Sequence, residues 1–225
     1  MIKRIGVLGG TFNPIHLGHL HIAGEIQKIF SLSRIYFVVA TAPPHKDPGD
    51  LIPFMHRYAM VSLATSGIPS FLPSMIELEP KASAYSVDTM RKLKGSLGRE
   101  SVLYFIAGGD SLAEVRSWRD SEKLLTSYNF IFAMRPGTGP MNPADVLPAK
   151  AVVRARDFTG LPRMEIRRAA AKETDSNRVY IVDVGAPNIS ATHIRKLASS
   201  GKSLRRVVPG PVSEYIHKIR LYGGR

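Results

Sequence analysis

Residues 5–19 read IGVLGGTFNPIHLGH, and the change of pattern inside them decides the architecture. Ile5, Val7 and Leu8 make a short buried strand, Gly9 and Gly10 are expected to turn the chain tightly, and His16 to Phe30 carries apolar residues at helical spacing. Strand, glycine turn and helix start follow one another directly. At such a junction the first N–H groups of the helix have no intrahelical partner and the helix dipole is positive, so an anion, typically a phosphate, is accommodated there. His16 and His19 are three apart, which puts both imidazoles on one side of the helix start, over that anion. The glycines are adjacent and the next is Gly18, so the GxGxxG dinucleotide pattern is absent. Gly201-Lys202-Ser203 is no P-loop either: Lys196 stands where the upstream glycine belongs, and the tripeptide reads as a helix-ending turn.

Outward from this stretch the alternation repeats. Apolar strand-like runs recur at 35–40, 103–107, 130–134 and 179–184, and helical patterns occupy 54–66, 87–97 and 121–126. Strands alternating with helices imply an α/β fold, a doubly wound and mostly parallel sheet with helices on both faces. The chain of 225 residues suits a single domain spanning 1–225. Residues 136–178, rich in proline, glycine and arginine, read as an irregular basic excursion with a possible helix at 162–172, and 187–225 as a helical C-terminal part. Ser190 is the expected N-cap of a helix that carries Thr192 and Arg195 in its first turns, a second anion-receptive helix start.

Composition narrows the setting. There is no cysteine, so disulfides and thiolate metal sites are excluded and a reducing cytoplasm is the expected location. Lys3 and Arg4 precede an apolar run that ends at Leu8, too short for a signal peptide or membrane span. The net charge of +13 is uneven: residues 1–110 hold 11 Lys and Arg against 8 Asp and Glu, residues 111–225 hold 20 against 10. Such a bias suits polyphosphate ligands as well as nucleic acid or anionic membrane. No recognition motif accompanies it, so a nucleic-acid partner is not expected, nor is a membrane, and the oligomeric state is left open.

In doubly wound sheets ligands bind beyond the carboxyl ends of the strands. After the second strand comes Thr41-Ala42-Pro43-Pro44-His45-Lys46, a proline-stiffened loop ending in an imidazole and a cation. After the third comes Gly108-Gly109-Asp110-Ser111, whose Asp110 suits a sugar hydroxyl, and Trp118 follows eight residues later. Histidines, a lysine and an arginine around an anion site suit nucleotidyl transfer, in which negative charge builds on the α-phosphate and the leaving pyrophosphate. A phosphate nucleophile is already ionised at neutral pH and needs no general base.

These residues carry a family resemblance. GGTFNPIHLGH resembles the GxFxPxHxGH signature of the nucleotidyltransferase superfamily and ISATHIR (189–195) its second signature, ISxTxIR. PPHK, Tyr85-Ser86 with Thr89, GGDS and Trp118 together resemble the bacterial nicotinate-nucleotide adenylyltransferases of NAD synthesis. The resemblance implies a Rossmann-like sheet and transfer of AMP from ATP to nicotinate mononucleotide, with Mg²⁺ bound through the ATP phosphates. It assigns ATP to Gly9, Gly10, Thr11, Phe12, His16, His19, Lys46, Gly108, Asp110, Ser190, Thr192 and Arg195, with His16, His19, Lys46 and Arg195 catalytic. It assigns the mononucleotide to Thr11, His45, Lys46, Tyr85, Ser86, Thr89, Asp110, Trp118 and Arg119, with Trp118 on the pyridine ring and backbone amides near Ser86 and Arg119 on the carboxylate. Asn13 departs from a common Asp, Ser86 from a usual Thr, and Gly109 from Ala or Gln. The alternatives are phosphopantetheine or nicotinamide mononucleotide as acceptor, or a nucleotide- or nucleic-acid-binding protein without turnover.

Overall fold

A computed structural model describes residues 2–41, 51–79, 85–134, 142–173 and 177–223. The strands are β1 (Lys3–Gly10), β2 (Arg34–Val39), β3 (Phe71–Ser74), β4 (Ser101–Gly108), β5 (Asn129–Met134), β6 (Ala155–Asp157) and β7 (Val179–Asp183). They form one sheet in the order β3-β2-β1-β4-β5-β7-β6, with every neighbouring pair parallel. The order reverses between β1 and β4, and at that switch point the loops leaving the two strands part and open a crevice.

Two core clusters explain why the strands read as unbroken apolar runs. Leu103, Phe105 and Ala107 of β4 join one cluster, while Tyr104 and Ile106 join the other. Phe130 and Phe132 alternate with Ile131 along β5 in the same way. With a period of two and both faces covered, the interiors of the central strands are apolar, and polar residues such as Lys3, Arg34 and Asp183 fall at strand ends. Helices α1 (Leu17–Phe30), α2 (Phe54–Thr65), α8 (Arg163–Lys172), α9 (Ala191–Ser199) and α10 (Gly210–Ile219) bear buried residues of the first cluster. Helices α3 (Ser86–Leu97), α4 (Asp110–Glu114), α5 (Ser121–Ser127) and α7 (Ala149–Val152) cover the other face, with the single turn α6 (Pro143–Val146) beside them. Among the described residues no helix is long and apolar enough to cross a membrane.

Three expectations change. Gly9 and Gly10 do not turn the chain: both are paired residues of β1, opposite Val38 and Val39. The turn is made at Phe12, whose φ of 47° is left-handed, and a Cβ on Gly10 would stand 3.0 Å from the Phe12 ring folded back over it. The excursion of 136–178 contributes a strand to the sheet, β6, which extends β7, while the helix expected at 162–172 is present as α8 and buries Ile166 and Ala170. Finally, β3 and β6 had no strand signature because both are short edges, one interrupted by Pro73 and the other reading Ala-Arg-Asp. The helix start at Ser190 and the turn at Gly201, with φ of 67°, stand where they were expected.

Candidate active site

Two cavities open at the carboxyl ends of β1 and β4 and share Gly9, Gly10, Thr11 and Ser111 as a common wall. The larger, of about 720 Å³, holds the two helix starts; the smaller, of about 340 Å³, is lined by aromatic side chains and the start of α3.

In the larger chamber His16 is the N-cap of α1 with extended backbone, and its own N–H donates to Nδ1 of His19 at 3.2 Å. An accepting Nδ1 means that the neutral His19 ring carries its proton on Nε2. The imidazoles stack with centroids 3.7 Å apart, and the Phe12 ring edge meets His19 at 5.0 Å. Burial, and secondarily the neighbouring His16, hold the His19 pKa well below the ordinary 6.5, so His19 is a neutral donor at physiological pH. Gly18 permits this packing, since a Cβ there would lie 3.0 Å from Nδ1 of His16. Opposite, Ser190 caps α9 by accepting from the N–H of His193 at 3.1 Å, which leaves its hydroxyl proton to be donated elsewhere. Arg195 donates from Nη2 to Thr192 Oγ1 at 3.3 Å and from Nη1 to the carbonyl of Asn13 at 3.1 Å, stapling the second helix start to the loop of the first. Imidazole, guanidinium, hydroxyl and helix N-termini thus surround one space, a set of donors suited to a polyphosphate.

The smaller chamber is built differently. Trp118 is held edge-on by Phe105 at 6.0 Å and Phe130 at 6.5 Å. Ser86 opens α3, so its N–H is among those that a helix does not satisfy internally. The guanidinium of Arg119 lies 4.7 Å from the Tyr85 ring centroid at the wall. Thr89 is buried and donates its hydroxyl to Glu77 at 2.9 Å. Flat aromatic walls with a few donors suit a planar ring bearing an anionic group.

Of the predicted positions, Gly9, Gly10, Thr11, Phe12, His16, His19, Gly108, Asp110, Ser190, Thr192 and Arg195 line the larger chamber, and Thr11, Tyr85, Ser86, Thr89, Trp118 and Arg119 line the smaller. Asp110, expected at both ligands, lines only the larger. His45 and Lys46 lie outside the described residues. The structure adds Glu77 and Arg57. The Glu77 carboxylate accepts from the Thr41 N–H at 3.1 Å and from Thr89, and burial pushes its pKa up. Arg57, 1% exposed, donates to the carbonyls of Thr11, Ala40, Thr41 and Ile52, binding the loop after β1 to the loop after β2. The sequence held one sign of it: position 57 falls on the apolar stripe of α2 with Met60, Val61 and Ala64, where a lone arginine must find buried acceptors.

The parallel sheet and the divided cleft at its switch point define a nucleotide-handling α/β protein, and residues 7–197 match the model of the cytidylyltransferase-like family. A relative from Geobacter sulfurreducens, named probable nicotinate-nucleotide adenylyltransferase, is 40% identical over 220 residues, 97% of this chain and 98% of that protein. One of the same name from a Thermoanaerobacter species is 33% identical over 97% of this chain and 94% of its own. The chain belongs to the cytidylyltransferase-like nucleotidyltransferases and, within them, to the family of these nicotinate-nucleotide adenylyltransferases. Its fold is shared with the solved structure of the Plasmodium falciparum nicotinic acid mononucleotide adenylyltransferase complexed with NaAD, at a TM-score of 0.70 and 19% identity over 98% of this chain and 97% of that one.

Proposed function

We propose that the protein is an adenylyltransferase that joins the AMP part of ATP to nicotinate mononucleotide, releasing pyrophosphate and forming nicotinate adenine dinucleotide. The observation that carries this reading is the pair of chambers meeting at Gly9-Gly10-Thr11 and Ser111, one lined by anion donors and the other aromatic. A triphosphate in the first and a pyridine mononucleotide in the second bring the α-phosphorus and the attacking phosphate together at the shared wall. The phosphate oxygen forms a new P–O bond to the α-phosphorus, the bond to the β-phosphate breaks, and pyrophosphate leaves with the electron pair.

His19 Nε2–H, His16, Ser190, Thr192 and Arg195 hold the triphosphate oxygens and oppose the charge that grows on them, and Lys46 serves with them. Gly108 and Asp110 serve the nucleotide sugar, while Trp118 stacks on the pyridine ring and the amides near Ser86 and Arg119 receive the carboxylate. The groups lining the larger chamber are imidazole, guanidinium and hydroxyl donors together with the Asp110 carboxylate. Such a set fits Mg²⁺ carried on the ATP oxygens, where the ion would neutralise phosphate charge. The expected setting is the cytoplasm.

The test supplies purified protein with ATP and Mg²⁺ and compares nicotinate mononucleotide, nicotinamide mononucleotide and phosphopantetheine as acceptors. Dinucleotide and pyrophosphate are expected fastest with the nicotinate form. A higher kcat/KM for either other acceptor, or salt-sensitive RNA binding without turnover, overturns the reading.

A further inference from the structure

We propose that Tyr222 is a positioning residue for the nucleotide chamber: its hydroxyl donates to Asn13 Oδ1 at 2.9 Å and so holds the loop that aligns His16 and His19 with Arg195. The proposal rests on reading that chamber as the ATP site.

Tyr222 follows α10 and does not line either cavity, whereas Asn13 lines the larger one. Asn13 is gripped from two directions, through its carbonyl by Arg195 and through its side chain by Tyr222 across 209 residues of sequence. The grip falls where the backbone requires it. Phe12 at φ 47° and Tyr222 at φ 66° both occupy the left-handed region, which an L-residue holds only where its surroundings require it. The hydrogen bond thus joins one left-handed position, Tyr222, to the residue that follows the other, Phe12. Without it, the segment from Phe12 to His16 loses its side-chain hold at Asn13 and keeps the Arg195 bond to the Asn13 carbonyl, which loosens where the N-cap histidine lies against α9.

The Tyr222 ring packs against the first core cluster, so Tyr222→Phe keeps the packing and deletes only the donor. Burial raises the phenol pKa above its ordinary value, outweighing the opposite pull of Arg195 and Arg57, so the hydroxyl stays a donor throughout the working pH range.

The experiment compares the wild type with Tyr222→Phe in the full chain, by calorimetric titration with Mg²⁺ and ATP and by steady-state kinetics. The expected result is an ATP Kd and KM raised about five- to tenfold, with KM for nicotinate mononucleotide within about twofold of wild type. Unchanged ATP binding with only a lowered thermal midpoint makes Tyr222 structural and overturns the proposal. Equal losses for both substrates overturn it too, as does a wild type that does not bind ATP. Because ATP binding is read directly, a wild type that binds ATP without turnover defeats the proposed reaction while the Tyr222 comparison still decides this point.

Discussion

The two chambers share a wall and differ in how they are made. The larger is assembled from helix starts, where a short motif brings its own geometry: His16 caps α1 and Ser190 caps α9, and the side chains needed follow within five residues of each cap. The smaller is assembled by packing, with Glu77, Thr89, Phe105 and Trp118 brought in from a 3₁₀ turn, a helix, a strand and a loop. A chamber of anion donors can therefore be encoded locally, because backbone N–H groups and a dipole come with the helix starts themselves. An aromatic chamber cannot, because apolar walls come from whatever the core places side by side.

Four experiments press on this contrast. The largest effect is expected at the residue that joins the two halves. Arg57→Met leaves several buried carbonyls without a donor and should cost about 3 kcal/mol of stability by denaturant unfolding. It should also raise KM for both substrates, and a change confined to one would show that the loops after β1 and β2 are positioned independently. Next, His19→Ala should lower kcat at least about tenfold, the scale of one lost transition-state donor. A near-normal rate in stopped assays would make His19 a packing residue and weaken the claim that the helix-start chamber carries the chemistry. Trp118→Ala should raise KM for the mononucleotide about tenfold while ATP changes by less than about twofold. Equal losses, or a lost fold by circular dichroism, would reassign the ring to the core formed with Phe105 and Phe130.

The smallest effect concerns pH. The unfolded chain protonates His19 near pH 6.5, whereas the folded chain resists protonation to a lower pH. Below about pH 6.5 the unfolded state binds more protons, so the His19 contribution to stability is complete above that value and is lost as pH falls toward the folded pKa. The thermal midpoint of wild type should thus drop more steeply below pH 6.5 than that of His19→Gln, and parallel curves would show that His19 titrates normally.

The contrast also explains what could be read from the chain. The five central strands were legible because both faces of the sheet are covered, which leaves long apolar runs that no surface strand would show. His16, His19, Ser190, Thr192 and Arg195 were legible because capping positions have a fixed spacing from the helices they open. Glu77 and Arg57 were missed for a physical reason. Apart from the Thr89 hydroxyl on Glu77, their partners are a backbone N–H and carbonyls on other loops, and such backbone partners carry no side-chain signature. The turn at Phe12 was displaced onto Gly9 and Gly10 because glycine is the ordinary choice for a left-handed φ, and here it is used instead to make room for the Phe105 and Phe12 rings.

The bond from Arg195 to the Asn13 carbonyl spans 182 residues, and that from His21 Nε2 to the Val184 carbonyl spans 163. Closing contacts of such separation costs loop entropy that the rest of the fold must offset. The larger chamber is consequently complete only when the last part of the chain has docked: until α9 stands against the loop after β1, its second helix start is missing. During refolding, recovery of nucleotide binding should track the last structural phase, which makes the bound nucleotide a reporter of the finished molecule.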